Sequence, residues 1–293
     1  MDTIFDARIK RNAYRTLLKS RLQRLTRNKL SLLGVTIFLL ILLSSLFAPV
    51  LTTYQPTDMN LSELNLPPSA NHILGTDRLG RDMLAQILYG GRISIYVGVV
   101  GSVITTFLGV VLGSLSAFVG GMLDRILVKL SELFHSFPHL LLVMLLAGIM
   151  GQNINNLIII FIFTGWMTAF RLMRSQVLSA KEETYVTACK AIGLSQSKII
   201  FSQILPNILS PMLVSMSVNT ANFILSETSL SFLGLGVPIT TPTWGNIINV
   251  ARDIRIISEQ WWIWLFPCIV ISLFVLSINF LGDGLRDVFD AKN

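Results

Sequence analysis

The sequence predicts an all-α membrane protein of about six transmembrane helices, and three observations carry that expectation. Only 13% of the 293 residues are charged while 52% are apolar, against roughly 25% charged in soluble domains. The charges are gathered between long uncharged stretches, of the kind (about 20 residues) that cross the hydrocarbon core of a bilayer. The Lys and Arg residues are also divided unequally between alternate loops. Inside lipid each backbone N–H and C=O must be satisfied within its own segment, so the uncharged stretches are expected as helices and not as open sheet.

Taken in order, residues 1–29 hold nine Lys and Arg, with Leu17, Leu18, Leu22 and Leu25 interleaved from Ile9 onward. That pattern predicts an amphipathic basic helix lying on the cytoplasmic leaflet. The first uncharged run, Leu30 to Val50, closes with Ala48-Pro49. It is too long, and its basic flank too extended, for a cleaved leader, so a retained span is expected. An outer loop, 51–92, follows. The membrane core expected over 93–282 opens with a second span from Ile93 to about Gly120. The third and fourth spans share Leu133 to Phe170, broken by the polar stretch Gly151, Gln152, Asn153, Ile154, Asn155, Asn156. A polar loop, 171–209, leads past Pro206 and Pro211 into a fifth span ending near Gly234. A second outer loop, 235–260, precedes the sixth span, Trp261 to Gly282, whose Trp261, Trp262 and Trp264 suit a membrane interface. The tail is 283–293.

Eighteen of the 23 Lys and Arg lie in 1–29, 121–132, 171–209 and 283–293; the other five are Arg78, Arg81, Arg92, Arg252 and Arg255. The basic side is expected in the cytoplasm, with both termini there, in the cell membrane. The net charge of +7 then sets topology and meets anionic lipid, which leaves nucleic acid a poor partner. Cys189 and Cys268 stand in a polar segment and an apolar span, so neither a disulfide framework nor a CxxC site is expected.

The cytoplasmic loop is the most informative polar segment. Lys181-Glu182-Glu183 supplies acid to a first helical turn, which suits the helix dipole. A short helix continues to Ile192, Gly193 suits the left-handed residue that ends it, and Ser195 can cap a second helix running to Leu205-Pro206. Such a helix, corner and helix form either a knob that fits a groove in another protein or a plain amphipathic connector. Tyr185 to Gly193, followed by Ile204-Leu205-Pro206-Asn207, resembles the EAA loop of ABC importer permeases. The resemblance implies a coupling helix that docks on a cytoplasmic ATPase subunit through Thr187, Ala188, Cys189, Gly193, Leu205 and Pro206. Thr187-Ala188-Cys189 stands where that family usually has Glu-Ala-Ala.

Three further stretches resemble the dipeptide, oligopeptide and nickel permeases of that family: His72 to Asp82 with Gly90 and Arg92, Ser231 to Gly236 with Thr241 to Gly245, and Asn279 to Asp287. The best match is the second, C-type subunit of the permease pair. The resemblance implies a type I ABC permease fold, a homologous second permease, two ATPase subunits and an extracytoplasmic binding protein. Cargo would be peptide first, with nickel or a metal chelate as the alternative. Gly75-Thr76-Asp77 reads as a turn whose Thr or Asp can cap the following helix. Gly75 to Gly80 has phosphate-loop spacing, but Arg81-Asp82 replaces the Lys-Ser/Thr pair that a phosphate loop needs. No cofactor is expected in this chain, and ATP would be held by the partner subunits. Gly75, Thr76, Asp77, Gly80, Arg81 and Asp82 are candidates for a surface that meets the binding protein, or for a structural lid.

Within the membrane, Ser215, Asn219, Asn222 and Ser226 recur at steps of four, three and four, which puts them on one face of the fifth span. Glu227 closes the series near the outer end. That face either lines the translocation path or hydrogen-bonds to a neighbouring helix; an ionisable residue there is a functional candidate. Ser94, Gly98, Gly101, Thr105, Gly109 and Gly113 suit close helix packing. His135 and His139 have metal-ligand spacing, but with no third ligand in sight an interfacial pair without metal is expected. A secondary transporter or channel would carry ionisable residues in mid-membrane, and an intramembrane enzyme a converging nucleophile and base. The sequence offers neither, so the chain is expected to do no covalent chemistry.

Overall fold

The computed structural model describes residues 28–289; the basic segment 1–27 and the last residues of the tail lie outside the described residues. Among the described residues the chain is helical and has no strand, only a bridge between Thr76 and Asp82. The architecture is set by α1 (Lys29–Leu46), α2 (Met83–Val119), α3 (Gly121–His135), α4 (His139–Met150) and α5 (Ile154–Lys181). Beyond them come α6 (Thr184–Ala191), α7 (Leu209–Phe232), α8 (Trp244–Ile248), α9 (Ile254–Glu259) and α10 (Trp261–Phe289).

Four helices, α1, α2, α5 and α10, are long and apolar enough to cross a membrane, and the bent pair α3–α4 makes a fifth if it is one broken span. Helix α7 has 24 residues, about 36 Å at 1.5 Å per residue. It is long enough to cross, but its Ser, Thr and Asn residues leave it less apolar than those four. The six expected spans are therefore not six alike: four are apolar rods, one is bent and one is polar.

The third span departs most from expectation. A straight helix from Leu133 is replaced by α3 and α4 meeting at 88° across Ser136-Phe137-Pro138. Proline lacks the N–H that a helix would use there and disfavours the helical conformation at the residue before it. Both halves lie along α5. Asp124 of α3 is held by Arg174 at 2.6 Å and 2.7 Å, and the Phe134 ring meets the Phe163 ring edge-on at 5.2 Å. His139 opens α4 beside Thr164, at 3.3 Å, and Asn156 donates to the Met150 carbonyl at its far end.

Helix α2 begins at Met83, earlier than the expected Ile93, because its polar first turns face protein. Asp82 caps it by accepting from the Ala85 N–H at 2.7 Å. Arg92 donates to the Ser45 and Leu46 carbonyls at 2.7 Å and 2.6 Å, closing the C-terminal end of α1. The small-residue face of α2 divides between two partners. A Cβ on Gly109 would lie 2.5 Å from the Ala169 Cβ, and one on Gly113 2.6 Å from the Phe170 oxygen, both on α5. Gly98 and Gly101 instead face Ile224 and Phe223 of α7. Phe223 in turn stacks on Phe161 of α5 at 4.6 Å. Helix α1 packs against α10 and the start of α2 and stays largely unburied, so its exposed leucines face lipid.

Candidate functional site

The chain between α5 and α7 forms the expected knob. Helix α6 ends in a left-handed Gly193 at φ +77°. The Gly193 N–H donates to the Lys190 oxygen and the Leu194 N–H to the Cys189 oxygen, at 3.0 Å and 3.1 Å, the paired bonds of a glycine-terminated helix. Val186, Ile199, Ile200 and Ile204 are buried against Val110, Met173 and Val177, which seats the knob on the ends of α2 and α5. Lys181 does not join the knob's first turn: it ends α5, and its ammonium donates to the Ala117 oxygen at 2.9 Å, capping α2. Tyr185, Thr187, Ala188 and Gly193 are exposed, Cys189 and Leu205 partly so, and Pro206 is exposed. Ile192 is 75% exposed.

At the opposite end, the His72 to Asp82 part of the 51–82 loop folds inward. Asp77 accepts from the Leu79 and Arg81 N–H groups at 2.8 Å and 2.9 Å, and from the Arg81 and Gln86 side chains at 2.8 Å each. The helix cap is Asp82, not Thr76 or Asp77, because Asp77 is consumed by its own turn. His72 lies between Asp82 (2.9 Å) and Glu63 (3.4 Å). Gly75, at φ +79°, backs onto Trp262, and Gly80, at φ +72°, onto the Asn60 backbone, where no side chain fits. Gly75, Thr76, Asp77, Gly80 and Asp82 are buried and Arg81 half-buried. These side chains hold the loop to α2 and α10; Arg78 is what the turn shows to solvent.

The polar face of α7 splits. Asn219, Asn222 and Ser226 open onto a cleft of about 470 Å³, joined by Ser229. The cleft's other polar groups are Thr164 and Thr168 of α5 with His135 and His139 at the bend, and its apolar walls include Phe134, Phe137, Leu140, Met167 and Phe223. Ser215 is buried, does not line the cleft, and its hydroxyl finds no partner among the described residues. Asn219 is buried at the rim and donates to the Thr106 hydroxyl at 3.4 Å. Glu227, one residue past Ser226, turns the other way and is fully buried. Its carboxyl accepts from Ser94 of α2 at 3.2 Å and from Ser231 at 2.9 Å. The Ser94 oxygen also accepts from the Trp244 N–H at 3.1 Å, so Glu227 ties α7 to α2 and α8.

The histidines, expected at the start of a span, stand instead at a bend beside the middle of α5. Among the described residues no group of three or more His, Cys, Asp or Glu could hold a metal. Thr164, Thr168 and Ser229 escaped the sequence reading. The four-residue step between the two threonines in the otherwise apolar stretch Leu157 to Phe170 was the available signal for the first two.

Residues 109–293 match the family described as binding-protein-dependent transport system inner membrane component. Residues 16–68 match the N-terminal TM domain of oligopeptide transport permease C. The chain is 38% identical over 270 residues to the dipeptide transport system permease protein DppC of Bacillus subtilis (strain 168), covering 92% of this chain and 84% of that one. It is 36% identical over 277 residues to the oligopeptide transport system permease protein OppC of the same organism, 94% and 90% of the two chains. A putative peptide permease protein of Brucella suis biovar 1 is 36% identical over 269 residues, 92% and 89% of the two.

Proposed function

The chain belongs to the family of binding-protein-dependent transport system inner membrane components, and we propose that it is one permease subunit of an ATP-driven importer of peptides. A homologous permease completes the path, two ATPase subunits sit on the knob side in the cytoplasm, and a binding protein delivers cargo to the opposite side. The basic residues concentrated at the knob end support that orientation. Peptide is the cargo named for the three relatives above.

The observation that carries the reading is the shape of the knob. Tyr185, Ala188 and Ile192 recur at steps of three and four, so they share one helical face, and all three are exposed. An exposed apolar face on a short helix, firmly seated beneath through Val186 and the isoleucines, suits insertion into a partner's groove. ATP-driven movement of the ATPases would reach the cleft through this seat, because Ile200 and Ile204 lead directly into α7. Alternating access of this kind needs packed helices with two discrete arrangements. ATP is bound and hydrolysed in the partners. The 51–82 loop acts as a folded lid that shapes the outer surface, with its motif side chains turned inward.

The test is Gly193→Val. A β-branched residue does not adopt the left-handed conformation without strain, so the corner reshapes while the membrane helices stay. The variant inserts normally, yet the ATPase subunits no longer co-purify and uptake is lost. Normal ATPase retention and uptake in Gly193→Val would refute the docking assignment.

A further inference from the structure

Resting on the peptide-importer reading, we infer that the bend between α3 and α4 is a transit station that receives a peptide's C-terminal carboxylate in mid-membrane, with His139 and Asn222 as its specificity-determining residues. Depth comes first. His139 lies against Thr164, ten residues into α5. At 1.5 Å per residue that is about 15 Å from the edge marked by Ile154, half of a core about 30 Å thick. A helix broken at that depth is tolerated where it lines a watery cavity or is covered by protein, and this one lines the cleft.

The second observation is unused hydrogen-bonding capacity. The side chains of His135, Thr168, Asn222 and Ser226 all line the cleft and make no hydrogen bond within the described residues. The first backbone amide of α4 with an acceptor is that of Leu142, bonded to the Pro138 oxygen. The N–H groups of His139, Leu140 and Leu141 are left free, because Pro138 precedes them and has no capping side chain. Polar groups in a membrane segment are functional candidates by default, and these keep hydrogen-bonding capacity that the subunit itself does not use.

The third observation is the sign of the lining. Imidazole, amide and hydroxyl groups and helix-start amides can all donate, and no Asp or Glu lines the cleft. A lining whose polar half can donate and holds no acid suits carbonyl and carboxylate oxygens and offers a cation no carboxylate. The free amides of α4 add the positive end of a helix to the same spot. A half-helix start facing a cavity at this depth is a recurrent way for transporters to meet an anionic group. The ligand class that joins a carboxylate to a run of carbonyls is a peptide entering C-terminus first.

The test uses the whole importer in proteoliposomes, with binding protein loaded with a tripeptide or with the same tripeptide as its C-terminal amide. His139→Ala lowers uptake of the free acid about tenfold, the worth of one hydrogen bond to a charged group, and the amide less than about twofold. His139→Gln, which keeps a donor, recovers much of the loss. Asn222→Asp, which sets a negative charge in the cleft, shifts the acid-to-amide ratio the same way and serves if His139→Ala fails to assemble. Parallel loss of both peptides, or loss of neither, would overturn the station. Absence of ATP-driven uptake of either peptide by the parent complex would instead defeat the importer reading.

Discussion

Glu227 and Asn222 sit just over one turn apart on α7 and have opposite fates. Glu227 is fully buried, and two serine hydroxyls donate to it; Asn222 is exposed to the cleft and its side chain has no hydrogen-bond partner among the described residues. Both are polar residues in a membrane helix, and both read from the sequence as candidates for the path. The difference teaches that polarity in such a helix marks a site only when the protein leaves it unsatisfied. A satisfied group is a joint. A group with spare donors or acceptors beside a cavity is available to cargo.

The largest effect follows from breaking the joint. Glu227→Ala leaves the Ser94 and Ser231 hydroxyls buried without their acceptor and loosens the hold of α7 on α2 and on the Trp244 backbone. Loss of stability by about 2–3 kcal/mol is expected, read as a lower unfolding temperature of the detergent-solubilised complex. An unchanged transition would mean that Glu227 is not a joint, and would return it to the cleft's account.

Asp124 and Arg174 extend the comparison to the knob end. The pair is bidentate, and Ser116 adds a donor to Asp124, so it belongs with the joints; both side chains are partly exposed, 20% and 29%. Asp124→Ala is expected to cost about 1 kcal/mol or less, since solvent screens an ion pair this open. A cost equal to that of Glu227→Ala would show that the two ends of the bundle are held alike. Gln86→Leu tests the same idea in the 51–82 loop. It removes one donor to Asp77 while Arg81 and two backbone amides remain, so a small loss is expected in protease resistance of that loop.

The positions of the membrane segments were legible because hydropathy and charge clustering report burial in lipid directly. The knob was legible because Gly193 has a local cause, a left-handed turn. What did not show was anything set by distant partners. The Pro138 bend is a local signal, but whether it ends one helix or breaks a span depends on α5, which carries both halves. The direction of Glu227 depends on Ser94, 133 residues away, and the inward turn of Asp77 and Asp82 on Gln86, Arg81 and His72. The periodicity of α7 correctly grouped Asn219, Asn222 and Ser226. It could not say that Ser215 falls outside the cleft, because the cleft's other walls come from α5 and the α3–α4 bend, distant in sequence.

The smallest stability effect, and the sharpest for the comparison, is Asn222→Ala. Its side-chain amide has no partner among the described residues to lose and it faces the cleft, so the unfolding transition is expected to move by less than about 0.5 kcal/mol. Uptake of peptide should nonetheless fall, since the group that remained free for cargo is gone. A joint and a path residue therefore separate on two axes: Glu227→Ala moves stability first and transport as a consequence, whereas Asn222→Ala moves transport alone. If Asn222→Ala destabilised the complex as much as Glu227→Ala, Asn222 would be bonded to the second permease in the assembly. The cleft would then be a subunit contact, and the rule that an unsatisfied polar group marks the path would fail for this helix.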